Sequence, residues 1–119
     1  MEVTPFLPSL DFTPRYLNPS GLNTWVEHLP FAFDLIQSLR PAVVVELGTH
    51  YGESFFGFCQ SVAECGLDCS CYAVDTWRGD QHAGLYGEDV YETVAAYRRE
   101  NYPAFSNLLR TTFDEAMKL

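Results

Sequence analysis

Glu46 ends an apolar β-branched run, Val43-Val44-Val45, and stands two residues ahead of a glycine turn spanning Gly48 to Gly52. Asp75 closes a second apolar stretch, Ala73-Val74, after a segment of helical character. An apolar strand, a glycine turn, a helix and a second strand make the first βαβ unit of a doubly wound sheet. Such sheets bind ligands beyond the carboxyl ends of their strands. Two carboxylates at adjacent strand ends suit a ligand that combines positive charge with free hydroxyls.

The glycines narrow the ligand further. A dinucleotide fingerprint needs glycine at the first, third and sixth positions of the turn. Counted from Gly48, those positions hold Gly48, His50 and Glu53. A phosphate-binding P-loop ends in Gly-Lys-Ser/Thr, and the chain has no such triplet. Glu46 would repel a pyrophosphate but attract an ammonium or sulfonium. Asp75 sits where an acid commonly accepts hydrogen bonds from ribose hydroxyls. A nucleoside with a cationic amino-acid tail fits both, and S-adenosylmethionine is the expected ligand. Thr49, His50 and Tyr51 would line the turn. Thr76 and Trp77 follow Asp75, and Trp77 either stacks on a base or covers the sheet edge.

The segment resembles the N-terminal half of a class I S-adenosylmethionine-dependent methyltransferase. It is similar to a bacterial group sometimes fused to glycosyltransferases. The resemblance rests on Trp25 to Phe33 (WVEHLPFAF), Val45 to Gly52 (VELGTHYG) and Cys71 to Asp80 (CYAVDTWRGD), and continues through His82 to Glu88 and Ser106 to Ala116. It implies a Rossmann-like three-layer αβα fold with a parallel sheet. It implies methyl transfer to an oxygen or nitrogen of a small molecule, a sugar or natural product. The cofactor site it implies is Glu46, Gly48, Thr49, His50, Tyr51, Gly52, Asp75, Thr76 and Trp77. Asp80 and His82, on a loop over the expected pocket, are the catalytic candidates. The group's downstream Ile-Asp-Gly-x-His-like motif, which supports catalysis or a divalent metal, has no counterpart here, so this segment offers no complete metal set. The expected partners are a small-molecule acceptor and either a second copy or a glycosyltransferase domain.

Composition bounds these readings. The 119 residues suffice for one small domain, with 47% hydrophobic and 19% charged residues. A net charge of −9 argues against nucleic acid, whose phosphates need clustered Lys and Arg. No apolar run is long enough to cross a membrane, and no signal-peptide pattern opens the chain, so a cytoplasmic protein is expected. Cys59, Cys65, Cys69 and Cys71 lack a Cys-x-x-Cys pair and read as reduced, partly buried thiols.

The elements that must position these groups follow from punctuation and period. Residues 1–21 hold four of the seven prolines and read as an extended arm, pinned by Phe6, Leu7, Leu10, Phe12, Tyr16 and Leu17. Residues 22–119 read as the cofactor-binding half of the domain. Thr24 and Glu27 form a capping box ahead of Pro30, which opens a helix with Phe31, Ala32, Leu35, Ile36 and Leu39 on one face. Strands are expected at Val43 to Leu47, Ser70 to Asp75 and Asn107 to Arg110. Helices are expected from about Gly52 to Cys65 and from Glu88 to about Asn101, the latter ended by Pro103. Residues 76–87 read as a glycine-bearing loop. A last helix starts at a Thr112/Glu115 capping box. In this order the first strand should be central, yet no fourth strand remains to pair its open flank. The pattern therefore looks truncated after the third strand, either a fragment or a chain completed by a partner. A catalytically incomplete binding or assembly module is the alternative function. A nicotinamide or flavin binder is disfavoured by His50 and Glu53.

Overall fold

The computed structural model describes residues 12–21, 25–80, 84–85 and 87–119. A short 3-10 turn, Val26–His28, leads into α1, Leu29–Leu39, with Pro30 in its first turn. Then follow β1 (Val43–Leu47), α2 (Glu53–Glu64) and β2 (Ser70–Asp75). A two-residue hairpin, β3 (Gly79–Asp80) with β4 (Gly84–Leu85), precedes α3 (Glu88–Asn101), β5 (Ser106–Arg110) and α4 (Phe113–Ala116). The strands β1, β2 and β5 form one parallel sheet in the order β1-β2-β5. With its flanking helices it is an open Rossmann-like αβα sheet.

The register decides which side chains face the helices. Val44 pairs with Cys71, Glu46 with Ala73, and Asp75 with Arg110. Strand alternation puts Val44, Glu46, Cys71, Ala73, Asp75 and Leu108 on one face. On that face the core closes around Phe55, Phe56, Cys59 and Val62 of α2 and Val90 and Val94 of α3. On the other face Val43, Val45 and Leu47 are more than half exposed. Val74, on the same side, is buried, and α4 packs on β2 there. Among the described residues β1 pairs only with β2, so it is an edge.

Most boundaries fall where punctuation put them, and one half of the capping box expected at the last helix is present: Thr112 Oγ1 accepts from the Glu115 N–H, while the Glu115 carboxylate accepts from Lys118. The first capping box involves Thr24, which lies outside the described residues. Three expectations need correction. The α1 face is rotated: Leu29, Ala32, Asp34 and Ile36 are buried, while Phe31 and Leu39 are exposed. The supposed loop after β2 contains the β3–β4 hairpin, too short to show a period-2 pattern. In the arm, Phe12 and Tyr16 are buried but Leu17 is exposed; Phe6, Leu7 and Leu10 lie outside the described residues.

The arm is fastened by hydrogen bonds. Gln60 Oε1 accepts from the Arg15 N–H, and Gln60 Nε2 donates to the Thr13 carbonyl. The Tyr16 hydroxyl donates to the Tyr51 carbonyl at 2.5 Å. That bond ties the arm to the turn between β1 and α2. The cysteines are free thiols, with Cys59, Cys69 and Cys71 buried. Burial pushes the Cys59 thiol far up and Cys69 to about 11, while the hydrogen bond from Cys59 pulls Cys71 down.

Candidate functional site

The β1–α2 turn is shaped by two left-handed glycines, Gly48 at φ 86° and Gly52 at φ 87°. Gly52 is fixed twice over: a Cβ there would also stand 2.8 Å from Cε2 of Phe56. Gly52→Ala is expected to cost roughly 2 kcal/mol or more, from the left-handed penalty plus the clash. Urea unfolding of the variant checks it, and a loss below half that size would show the turn to be adaptable. His50 also takes a positive φ, 53°, as does Trp77 at 54°. Strained non-glycine residues at neighbouring strand ends concentrate where loops are held for function.

Asp75 organises this strain. Its Oδ2 accepts the backbone N–H of Thr49 at 2.8 Å and of His50 at 2.9 Å. Its Oδ1 accepts the Trp77 N–H at 2.9 Å. Trp77 Nε1–H in turn donates to the His50 carbonyl at 2.8 Å. The two turns are thereby locked to one another across the sheet end. Trp77 is 1% exposed and meets Tyr91 edge-on, so it is a core residue and not an open platform for a base.

Glu46 has the opposite character. Its Oε2 accepts from the Ser54 hydroxyl at 2.5 Å. Among the described residues its Oε1 is buried with no hydrogen-bond partner, and so is Thr49 Oγ1. The Thr49 hydroxyl is near enough to favour the ionised carboxylate but lacks hydrogen-bonding geometry to it. Burial pushes the Glu46 pKa up to about 7, opposed by the Ser54 hydrogen bond and reinforced by nearby Asp75. A buried acceptor without a donor is costly, and native structures keep few. Glu46 and Asp75 therefore share one face of the sheet with different duties: Asp75 is engaged by backbone, while Glu46 holds an acceptor in reserve.

Glu46 and Thr49, the residues that carry these atoms, both line a cavity of about 520 Å³, within the size range of small-molecule sites. Its polar end is Glu46, Gly48, Thr49, His50 and Ser54 at the start of α2. No side chain caps α2 at Gly52. The cavity thus has a carboxylate acceptor beside a helix N-terminus, which attracts negative charge. That pairing fits the zwitterionic head of an amino acid. Tyr51 also lines the cavity, whereas Asp75, Thr76 and Trp77 do not. Asp80 has its backbone in β3, and His82 lies outside the described residues. Among the described residues no three His, Cys, Asp or Glu side chains cluster as a metal site, and no helix is long and apolar enough to cross a membrane.

Sequence reading missed Ser54 and the arm residues Asn18 and Ser20, which also reach the cavity. Ser54 lies eight residues from Glu46 around a turn whose path no local pattern reveals. It missed as well the Arg110–Glu88 ion pair, with the Arg110 guanidinium 4.2 Å over the Tyr91 ring.

Comparison with known proteins adds the following. A family model described as "Methyltransferase domain" matches residues 45–119. "Uncharacterized protein y4gI" of Sinorhizobium fredii (strain NBRC 101917 / NGR234) is 51% identical over 104 residues, covering 87% of this chain and 11% of that protein. The chain therefore spans about a tenth of that curated relative's length. Two solved structures are similar. One, titled "cmcI-D160 Mg-SAM", is 20% identical, with a TM-score of 0.44 over 76% of this chain and 32% of that one. The other, titled "cmcI-N160 SAH", is 19% identical, with a TM-score of 0.48 over 92% and 46%.

Proposed function

The chain belongs to the methyltransferase domain family, and from that premise we propose that it binds S-adenosylmethionine and serves methyl transfer to an oxygen or nitrogen of a small molecule. The observation that carries the reading is the buried, partnerless Glu46 Oε1 beside the open start of α2. Glu46 takes the ammonium of the methionine tail, and the first-turn N–H groups of α2 take its carboxylate. Thr49 Oγ1 supplies a further contact. Gly48 to Gly52 let backbone approach the tail closely. Asp75 holds the turn in this shape and is assigned the ribose hydroxyls. When bound, the cofactor supplies a sulfonium methyl group, transferred as an acceptor lone pair displaces the neutral thioether and the acceptor proton leaves to a base. The chain's part in rate is alignment of acceptor and methyl. Asp80 and His82 stay the proposed proton acceptors, and the cytoplasm the proposed compartment. A small-molecule acceptor and a glycosyltransferase domain are the proposed partners.

Calorimetric titration with S-adenosylmethionine and S-adenosylhomocysteine, with NAD as control, tests the reading. The first two should bind and NAD should not; silence from both rejects it. Affinity should also follow Glu46 ionisation. With its pKa near 7, binding should be about tenfold tighter at pH 8 than at pH 6. A flat profile would remove Glu46 from the ammonium site.

One observation favours a second reading, an assembly module that performs no transfer. The exposed apolar side chains of Val43, Val45 and Leu47 along an edge strand invite association. Sedimentation separates the two, since a clean monomer at high concentration argues against assembly.

A further inference from the structure

Part of the cavity's lining has a different character from Glu46 and its neighbours. Trp25, His28 and Phe31 come from the short 3-10 turn and the start of α1, with Leu35 and Phe58 completing an apolar wall. Trp25 and Phe31 remain 53% and 51% exposed, although Leu29 beside them is almost fully buried. Both rings line the cavity, whereas Phe55, Phe56 and Trp77 are fully enclosed. The Trp25 and His28 rings lie 5.5 Å apart at 59°, making a corner of ring faces. Among the described residues no Lys or Arg lines this cavity, while Glu46 and Glu53 do. Glu53 is itself tied to this wall, since its Oε1 accepts the Trp25 backbone N–H at 2.8 Å. That bond fixes where the wall stands relative to the start of α2.

Ring faces bind flat apolar faces by stacking, and an acidic lining repels anions. We propose that the Trp25–His28–Phe31 wall is the acceptor subsite and takes an uncharged ring with an apolar face, aromatic or sugar. The acceptor role rests on the cofactor reading of the Glu46 end; the ring binding does not. The wall and the Glu46 end belong to one cavity, so a ring held here lies next to the proposed cofactor tail.

The two tryptophans make the test direct. Trp77 is enclosed, so ligand-dependent emission reports Trp25, and a Trp25→Phe variant should give no response. The probes are p-cresol for an aromatic ring, methyl β-D-glucopyranoside for a sugar, and phenyl phosphate as the anionic control. At least one neutral probe should shift the emission saturably, with a dissociation constant on the order of millimolar for so small a ligand. Which one responds assigns the ring class. Phe31→Ser, at a half-exposed site with folding checked by circular dichroism, should weaken that probe about tenfold. Phenyl phosphate should bind at least about tenfold more weakly than p-cresol. Saturating S-adenosylhomocysteine should not displace the ring.

No saturable response to either neutral probe overturns the proposal, as does full binding by Phe31→Ser or equal binding of phenyl phosphate. Displacement by S-adenosylhomocysteine also overturns it, because the wall would then belong to the cofactor. Ring binding in a chain that shows no calorimetric binding of S-adenosylhomocysteine overturns the cofactor reading and its acceptor role, while upholding the ring site.

Discussion

Glu46→Gln is expected to weaken S-adenosylmethionine binding about a hundredfold while making the ligand-free chain more stable above pH 7. The binding loss follows from replacing a buried carboxylate by a neutral amide opposite an ammonium, roughly 1.5–3 kcal/mol for a hydrogen bond to a charged group. The stability gain follows from the same burial. Glu46 is raised from an ordinary 4.5 to about 7 on folding. A carboxyl raised in this way favours the folded state while protonated. Its contribution is fully present below pH 4.5 and is lost as pH rises through 7. Glutamine removes that dependence, whatever fixed cost its own amide adds. The sequence isoelectric point is near 4.5, so pH 5.5 and 8.5 are workable conditions for denaturant unfolding. Between them the stability advantage of the variant should grow by about 2 kcal/mol, at roughly 1.4 kcal/mol per pH unit of displaced titration. A Glu46 that only supported the fold would behave oppositely, with the glutamine variant less stable at pH 8.5 and cofactor affinity untouched. That pair of results would remove the residue from the site.

The contrast between Glu46 and Asp75 also shows what a sequence can and cannot disclose. The strands carrying both acids were legible because Val43 to Leu47 and Ser70 to Asp75 are short apolar runs bounded by Pro41, Gly48 and the turn at Thr76. Helix α3 was legible from its apolar spacing and Pro103. Even the shared face of the two carboxylates follows from a parallel register once the strands are placed. Their different duties were not legible. Asp75 meets the Thr49 and His50 N–H groups across 26 and 25 residues of chain. Only the folded turn reveals that this carboxylate is satisfied by backbone while Glu46 is not. Trp77 belongs to the same blind spot, because its burial depends on α3 packing beside it through Tyr91. The rotation of α1 was hidden for a related reason. α1 packs against α2 with Leu29, Ala32 and Ile36 buried, while Phe31 and Leu39 are left out. Helical periodicity names an apolar stripe but not which part of it meets a partner.

Asp75→Ala is expected to weaken S-adenosylmethionine binding tenfold or more, and the manner of the loss separates two roles. If the residue acted only on ribose hydroxyls, a ligand without the nucleoside would not notice the change. If it acts by holding the turn, every ligand of the Glu46 end should suffer. Removing the carboxylate deprives Thr49, His50 and Trp77 of their shared acceptor. His50 and Trp77 then keep positive φ angles with less to enforce them, at roughly 1–3 kcal/mol of strain each. The turn should relax, and Thr49 should leave its place at the cavity. S-methylmethionine is the discriminating probe, since it carries the ammonium, carboxylate and sulfonium but no ribose. Its weak binding can be followed by ligand-observed NMR. The geometry favours turn-holding, so Asp75→Ala should weaken S-methylmethionine by a factor comparable to that for S-adenosylmethionine. An unaltered S-methylmethionine affinity beside a lost S-adenosylmethionine affinity would return Asp75 to a ribose contact alone. Unaltered binding of both would mean that the turn keeps its shape without the carboxylate, and that the site depends on Glu46 and the start of α2.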